Sequence, residues 1–390
     1  MLPAPSADAL AHQAKLLDHL FMLNQQQRGQ LSFAEFMHNA LYAPGLGYYS
    51  AGLAKIGEAG DFVTAPVISS LFSQALANQC LQILRSLANE APCILELGAG
   101  TGRMAGDLML YLATQDVLPL HYYILEVSAD LKSRQQAYLQ AYCPEQYHRF
   151  IWLDTLPSEP FTGIILGNEV IDALPCHLFK ISDDHTILEG FVEITPTQTQ
   201  LCFDTPKSQG LQEAIIALQE RLGLTFTPGY LSEIHLQLNA WIASLSACLH
   251  QGVMLFIDYG FPSHEYYHPS RTCGTLMCHY RHHAHSDPLQ YIGLQDITAH
   301  VDFTALALAA IAHDLEVAGF TNQGAFLLNN GILTLAEAAR NDGQRIAFSQ
   351  QLQKLIQPHE MGELFKVMAL SKQFDESLQG FVAFDQRHRL

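Results

Sequence analysis

The sequence predicts an α/β fold built on a doubly wound parallel sheet. Short apolar runs alternate with helical patterns from residue 93 onward, and this alternation is typical of parallel strands joined by crossover helices. With 49% hydrophobic and 15% charged residues, the 390-residue chain has the composition of a globular protein with a large core. Because the chain is longer than most single domains, we expect one large domain with insertions, or two domains.

Two helices are predicted at the N-terminus. Apolar residues at helical spacing extend over residues 7–41 and are interrupted by the polar stretch NQQQRGQ. The glycine- and proline-rich residues 42–66 follow, and ordered loops of such length are often functional lids. We therefore expect a lid loop at this point, and then a helix over residues 68–87.

The core elements come next in the chain. The predicted strands are 93–98, 121–126, 149–153, 162–168 and 252–258, and the predicted helices between them are 102–114 and 129–142. The last two strands are too far apart for an ordinary crossover. A β-hairpin pattern that turns at Asp183 and Asp184 lies between them, followed by helical patterns over 210–250. Residues 304–319 are predicted as a helix and 321–335 as a strand, before a helical end.

These patterns divide the chain into four segments. Residues 1–67 are an N-terminal helical segment with the lid loop, and 68–175 are the first part of the core. Residues 176–250 are an inserted α+β region, which we assign to the substrate. Residues 251–390 are the second part of the core, with a substrate loop at 260–303 and the helical C-terminus.

Charge and cysteine usage narrow the class of protein. The formal charge of −18 repels phosphate backbones, so a nucleic-acid partner is disfavoured. The eight cysteines form no C-x-x-C pair, as is typical of reduced thiols. The N-terminus lacks secretory and mitochondrial leader patterns, and the apolar runs are shorter than the roughly 20 residues of a membrane span. We expect a cytoplasmic protein without membrane insertion.

A glycine-rich turn, LELGAGTG, follows the first core strand. A Walker A motif needs a lysine that is absent here, and the dinucleotide fingerprint G-x-G-x-x-G places its third small residue at Arg103. The pattern acid-x-Gly-x-Gly-x-Gly, formed by Glu96, Gly98, Gly100 and Gly102, resembles the first motif of class I S-adenosylmethionine methyltransferases. An acid beside the turn suits a cofactor that carries an amino group and a sulfonium rather than a pyrophosphate.

Further polar groups follow the next strands. Glu126 ends the second strand, where an acid accepts hydrogen bonds from ribose hydroxyls in dinucleotide folds. Leu153 and Asp154 end the third strand, where they are placed to flank an adenine ring and bond to it. The fourth strand leads into GNEVIDALP, which supplies Asn168, Glu169 and Asp172. Taken alone, this last set equally suits an N-cap with first-turn acids.

Six ordered blocks carry a resemblance to a known family. They are YYSAGLAKIGEAGDFVTAPVIS, LELGAGTG, GNEVIDALP, IDYG, GLQDITAHVDFTALA and EMGELFKVMALS. Together they resemble the MidA family of S-adenosylmethionine-dependent methyltransferases, which includes the mitochondrial protein arginine methyltransferase of complex I assembly. The resemblance implies a class I methyltransferase fold, S-adenosylmethionine as cofactor, and a protein substrate with an arginine, such as a respiratory-complex subunit.

The resemblance matches the glycine turn, Glu126 and the strand end at Asn168 and Glu169 to the family's cofactor and active-site blocks, and the other groups described here extend this set to a full assignment. The cofactor residues would be Thr64, Glu96, Gly98, Ala99, Gly100, Gly102, Glu126, Leu153, Asp154 and Asn168. The substrate residues would be Asp258, Tyr259, Asp296 and His300. Two positions depart from the family pattern: Ala99 replaces a common proline, and Val67 stands where relatives commonly carry a glutamate, so the role of the lid is left open.

An arginine acceptor suggests a catalytic arrangement. A guanidinium is cationic and prefers carboxylates that accept two hydrogen bonds, so we assign Glu169 and Asp172 to orient it. His283 is a candidate proton acceptor, with a surface histidine as the alternative. Asp296, His300 and Asp302 either line the same cleft or cap a helix that begins near residue 303.

No metal is predicted, although cysteines and histidines are dense over residues 273–285. Their spacing matches no common zinc site. Two alternatives to a protein methyltransferase stay open: a small-molecule methyltransferase, and an assembly chaperone that binds the cofactor without turnover. The oligomeric state and the degree of methylation are not predicted.

Overall fold

The computed structural model describes residues 2–26, 29–51, 64–338 and 341–390. The middle of the predicted lid loop, residues 52–63, lies outside the described residues. The helices are α1 Ala7–Gln26, α2 Phe33–Tyr42, α3 Ala65–Ile68, α4 Ser70–Ser86, α5 Arg103–Thr114, α6 Ala129–Tyr142, α7 Leu211–Leu222, α8 Leu238–Cys248, α9 Ser263–Tyr266, α10 Phe303–Ile311, α11 Gln323–Asn329, α12 Ile332–Glu337 and α13 Asp342–Ile356.

Most strands are short. They are β1 Leu31–Ser32, β2 Cys93–Leu97, β3 Tyr122–Leu125, β4 Phe150–Leu153, β5 Phe161–Asn168, β6 His177–Ile181, β7 Ile187–Ile194, β8 Thr199–Asp204, β9 Leu231–Ile234, β10 Leu249–Phe261, β11 Met277–Tyr280, β12 His283–His285, β13 Asp296–Thr298, β14 Val301–Asp302, β15 Glu316–Asn322 and β16 Phe365–Lys372.

The chain divides into two compact units. Unit 1 comprises Met1–Phe62, Asp172–Leu238 and Phe261–Asp302, and unit 2 comprises Val63–Ile171, Asn239–Gly260 and Phe303–Leu390. Most of the N-terminal segment, the inserted region and the substrate loop that the sequence analysis separates therefore fall in one unit. In the part of the chain that the structure describes, no helix is both long enough and apolar enough to cross a membrane.

Unit 1 is built on antiparallel sheets. Strands β1, β7, β6 and β9 pair in that order, β8 pairs with β7, and β11 pairs with both β12 and β13. Helix α2 begins with a reciprocal capping box, in which Ser32 and Glu35 satisfy each other's backbone N–H groups. The apolar face of α2 then packs with Leu16, Leu20 and Val192 in the core of this unit.

Unit 2 contains the predicted doubly wound sheet, in the order β15–β16–β10–β5–β2–β3–β4. Strands β10, β5, β2, β3 and β4 are parallel, and the chain moves outward from β2 first through β3 and β4 and then through β5 and β10. Their carboxyl ends are in register, because Leu97 lies beside both Leu125 and Gly167. The α/β prediction is thereby confirmed, and ligands of such sheets bind at this edge.

Two glycines bring the central strands together. Gly163 on β5 has φ +148°, and a Cβ there would overlap the carbonyl oxygen of Cys93 on β2. Gly252 on β10 has φ +140°, and a Cβ there would overlap the carbonyl oxygen of Gly163. L-residues essentially never adopt this backbone conformation. The pairing of β2, β5 and β10 therefore requires glycine at both positions.

The last third of the chain differs from the sequence prediction. The helix predicted over 304–319 ends at Ile311, because Asp314 has φ +60° and turns the chain into β15. The strand predicted over 321–335 is instead α11 and α12, since Asn322 caps α11 by accepting a hydrogen bond from the backbone N–H of Ala325. Short buried apolar runs do not distinguish strand from helix by periodicity.

The helical end predicted for the chain is also wrong in part. Residues 365–372 form β16, which is antiparallel to both β10 and β15. Within the predicted helical stretch 210–250, α7 ends at Gly223 in the left-handed conformation, and β9 follows. The predicted hairpin is confirmed as β6 and β7, and β8 adds a third strand to it.

Candidate functional site

The glycine turn joins β2 to α5 at the carboxyl edge of the unit 2 sheet. Gly98, Gly100 and Gly102 have φ values of 64°, 53° and 79°, which glycine adopts without strain. Ala99 between them is buried. Gly102 occupies the N-cap position of α5 and offers no side chain to the first N–H groups. The turn is thus open to close approach by a ligand whose polar groups accept hydrogen bonds.

Two buried carboxylates flank this turn. Glu96 on β2 is 2% exposed, and the hydroxyl of Tyr122 donates a hydrogen bond of 2.8 Å to its Oε2. Burial, together with the nearby carboxylate of Glu126, raises the pKa of Glu96 to about 7. Glu126 is 6% exposed, and burial raises its pKa, whereas hydrogen bonds from Ser128 and Gln135 oppose that rise. A hydrogen-bond donor or a cation that bound next to these carboxylates would stabilise their ionised form.

The protonation of Glu96 predicts a pH dependence of folding. The folded chain keeps a proton on Glu96 between pH 4.5 and about 7, where the unfolded chain has lost it. The free energy of unfolding therefore falls as the pH rises through this window, by about 3 kcal/mol in total. We expect urea unfolding of Glu96→Gln to lose the part of this decline that Glu96 contributes, while the part that comes from the raised pKa of Glu126 remains. The exposed Glu159→Gln is the control, and equal pH profiles for Glu96→Gln and the unaltered protein would contradict the assignment.

The end of β4 is more open to solvent. Leu153 is half-buried, and Asp154 is exposed, with 84% of its side chain accessible. Lys132 on α6 donates a 2.9 Å hydrogen bond to the Asp154 carboxylate. Thr64 directly precedes α3, and Val67 lies within that helix. If Asp154 binds adenine as predicted, it must do so while it is paired with Lys132.

The end of β5 has an unusual backbone. Glu169 has φ +53°, which is uncommon for a residue with a side chain, and its N–H donates to the carbonyl oxygen of Ile257. The Asn168 amide donates a 3.1 Å hydrogen bond to Glu169 Oε1. The Asn168 Oδ1 atom is buried without a hydrogen-bond partner among the described residues. Strained conformations of this kind concentrate at functional sites.

Asp258 holds the turn that follows β5. Its Oδ2 accepts hydrogen bonds from the backbone N–H groups of Val170 and Ile171, at 3.2 and 2.9 Å, and its Oδ1 accepts from the N–H of Tyr259. The sequence analysis assigns Asp258 to the substrate. The substrate role stays a prediction, and the geometry supports a positioning role as well, because this buried carboxylate fixes the backbone just after Glu169. The ring of Tyr259 packs edge-on against Phe365.

Asp172, Asp296 and His300 belong to unit 1. The Tyr49 hydroxyl donates a 2.9 Å hydrogen bond to Asp296 Oδ1. Burial raises the pKa of Tyr49 well above its usual value, and the carboxylates of Asp296 and Asp172 raise it further. Asp172 and Asp296 therefore create a negative potential around the same tyrosine. His300 stacks on the ring of Phe261 with centroids 5.3 Å apart.

The histidine-rich stretch forms β11, β12 and the turn between them. His283 is exposed and faces Tyr280 across the pair, and Cys278 lies opposite His285. Within the described residues, no three histidine, cysteine or acidic side chains are grouped as a metal site requires. Asp302 accepts hydrogen bonds of 2.7 Å from the hydroxyl of Ser263.

Sequence reasoning misses two contributors to the unit 2 site. Gln135 contacts the glycine turn, Glu126 and Trp152 from α6, and Tyr122 bonds to Glu96 from β3. Because α6 is largely polar, its sequence does not indicate that Gln135 is the polar residue that faces the sheet. Tyr122, in contrast, lies on the buried face of its strand, where a tyrosine hydroxyl usually needs an acceptor.

Comparisons with known proteins identify the family of the chain. Residues 75–321 match the model of the family described as "Putative S-adenosyl-L-methionine-dependent methyltransferase". A crystal structure of a Burkholderia thailandensis protein bound to S-adenosyl-homocysteine is 40% identical, with a TM-score of 0.93 over 100% of both chains. The mitochondrial protein arginine methyltransferase NDUFAF7 of Rattus norvegicus is 29% identical over 92% of this chain and 85% of its own, and that of Homo sapiens is 28% identical over 91% and 83%.

The residues present fit S-adenosyl-L-methionine. Its amino group and sulfonium are cations, for which buried Glu96 is a suitable partner. Its ribose hydroxyls can donate hydrogen bonds, and Glu126 can accept them. The buried Asn168 Oδ1, which has no partner among the described residues, can accept one more hydrogen bond from the ligand. The glycine turn leaves room for close approach. On this evidence the chain belongs to the family of S-adenosyl-L-methionine-dependent methyltransferases.

Proposed function

We propose that the protein methylates an arginine side chain of a protein substrate. Curated relatives at 26–29% identity, which the chain matches over most of its length, carry the name protein arginine methyltransferase. A respiratory-complex subunit is the class of substrate that we favour. The cofactor supplies an electrophilic methyl group, so the tasks left to the protein are to orient the acceptor nitrogen and to exclude water.

Glu169 is the observation that carries the proposal. It directly follows β5, at the edge of the sheet where Glu96 and Glu126 also lie. Its backbone N–H donates to Ile257, and Asp258 accepts from the N–H groups of the two residues that follow Glu169. A guanidinium has five N–H donors and its charge is delocalised over three nitrogens. A carboxylate that accepts from two of these nitrogens draws positive charge toward itself, which leaves the third more nucleophilic.

The potential in unit 1 supports a cationic acceptor as well. Asp172 and Asp296 are buried, and both raise the pKa of Tyr49. A region whose fixed carboxylates oppose phenolate formation attracts a guanidinium for the same reason. A basic side chain that reached this part of unit 1 would be favoured over a neutral small molecule.

Labelling with S-adenosylmethionine tests the acceptor directly. The protein is incubated with methyl-labelled cofactor and a lysate of cells that lack the gene, and labelled protein is hydrolysed and separated into amino acids. We expect label in methylated arginine from a discrete protein band, and none with Glu169→Gln. Label in another amino acid or in a small-molecule fraction would overturn the arginine proposal. A protein that binds S-adenosylhomocysteine but transfers no label would instead support the role of a chaperone without turnover.

A further inference from the structure

Gln135 links the ends of β2 and β3 to the strand β4 of the unit 2 sheet. From α6, its Nε2 donates to the carbonyl oxygen of Gly100 at 3.0 Å and to Glu126 Oε2 at 2.8 Å. Its Oε1 accepts from the indole Nε1 of Trp152 at 3.0 Å. One side chain therefore connects the glycine turn after β2, the acid after β3 and the middle of β4.

The chemistry of the partners fixes the orientation of this amide. An indole N–H only donates, whereas a carbonyl oxygen and a carboxylate only accept. The amide oxygen must therefore face Trp152, and the amide nitrogen must face Glu126 and Gly100. Both amide hydrogens are in use, so the side chain cannot rotate without leaving buried groups unsatisfied.

Burial distinguishes Gln135 from the rest of its helix. It is fully buried, and Leu139 is the other fully enclosed residue of α6 among those described. Glutamine is mostly exposed in proteins, and burying its amide costs free energy unless it is hydrogen-bonded. A buried leucine would fill the same space without the free-energy cost of removing an amide from water. Packing alone therefore does not explain a glutamine at this position.

The effect on Glu126 indicates that task. The backbone N–H of Ser128 donates 2.9 Å to Oε1, and Gln135 donates 2.8 Å to Oε2. Each oxygen is thus held by a donor, and the backbone N–H of Val127 also helps to fix this carboxylate. A carboxylate fixed in this way can accept from the two adjacent hydroxyls of a ribose without losing conformational freedom when the ligand binds.

We propose that Gln135 is the positioning residue of the cofactor site, which locks Glu126 against the glycine turn so that this acid recognises the ribose diol. The inference rests on the cofactor of the family and is independent of the proposed arginine acceptor. Gln135 does not itself contact substrate or the transferred group. Its contribution lies in cofactor affinity and in discrimination between ribose and deoxyribose.

Gln135→Glu is the sharpest variant, because it keeps the shape and the acceptor for Trp152 but turns a carboxylate oxygen toward Glu126. We expect the Kd of S-adenosylhomocysteine, measured by calorimetry, to rise about 10- to 100-fold, the range for loss of a hydrogen bond to a charged group. Gln140→Glu makes the same change at an exposed position of α6, and its Kd should stay within about twofold of the unaltered protein.

A ligand without the 2′-hydroxyl separates positioning from general damage. The unaltered protein should bind the 2′-deoxyribose form of S-adenosylhomocysteine about 10-fold more weakly than the parent, and Gln135→Glu should lose most of this discrimination. Equal weakening of both ligands, or an unchanged Kd, would overturn the proposal. If Gln135→Glu does not fold, Gln135→Met replaces it with the same expected results, because methionine keeps a similar volume but donates no hydrogen bond to Glu126 or to Gly100.

Discussion

Glu169→Gln is expected to reduce turnover at saturating substrates by at least about 100-fold, while the Kd of S-adenosylhomocysteine stays within about twofold. The loss of one preorganised electrostatic contact to a reacting group has effects of this size. Glutamine keeps the volume and the hydrogen bond from Asn168, but it offers no charge to the guanidinium. Single-turnover rates with a methylated-arginine readout, together with calorimetry, measure the two quantities separately.

Two further variants sharpen this result. Glu159→Gln removes the same charge near the amino end of β5, where the side chain is exposed, and should leave turnover unchanged. Glu169→Gly should be equally inactive but more stable by roughly 1 kcal/mol, because glycine adopts φ +53° without the penalty of a Cβ. Lost cofactor affinity in Glu169→Gln would instead assign this residue to the cofactor.

Gly163→Ala is expected to have the largest effect on stability. The added methyl group would overlap the carbonyl oxygen of Cys93, which is backbone of the adjacent strand and cannot move aside as a side chain does. The backbone conformation at φ +148° is also closed to alanine. We expect a loss of more than about 4 kcal/mol in the free energy of unfolding, measured by urea denaturation, or failure to fold.

Gly210→Ala separates steric overlap from backbone strain. Gly210 also has positive φ, at +81°, but a Cβ there meets nothing within 4 Å. Its replacement should cost only the roughly 1–2 kcal/mol of a left-handed L-residue. Similar losses at Gly163 and Gly210 would mean that the close approach of β2 and β5 is not what makes Gly163 necessary.

The sequence predicts the parallel core because its signals are local. Each strand is an apolar run that ends in a polar or glycine residue, and the carboxyl ends of parallel strands lie at one edge. This reasoning places Glu96, Glu126 and Asn168 correctly at the edge of the unit 2 sheet, where the structure brings them to β2, β3 and β5.

Other features depend on contacts that no local pattern reports. The left-handed backbone of Glu169 is imposed by hydrogen bonds with residues almost a hundred positions later, at Ile257 and Asp258. The amide of Gln135 finds its hydrogen-bond partners only after β2, β3 and β4 have assembled beside α6, and a local sequence pattern cannot report this. Glu169 and Asp172, which we assign together to the acceptor, are separated by only two residues of chain, and yet the first belongs to unit 2 and the second to unit 1.

The position of β16 has a consequence for biosynthesis. This strand fills the gap between β10 and β15, although both are translated well before residues 365–372. A nascent chain that has emerged only as far as α13 therefore exposes two open strand edges, which are templates for incorrect pairing with other chains. The sheet of unit 2 can close only after β16 has left the ribosome, so ribosome stalling or premature release before β16 should yield aggregates.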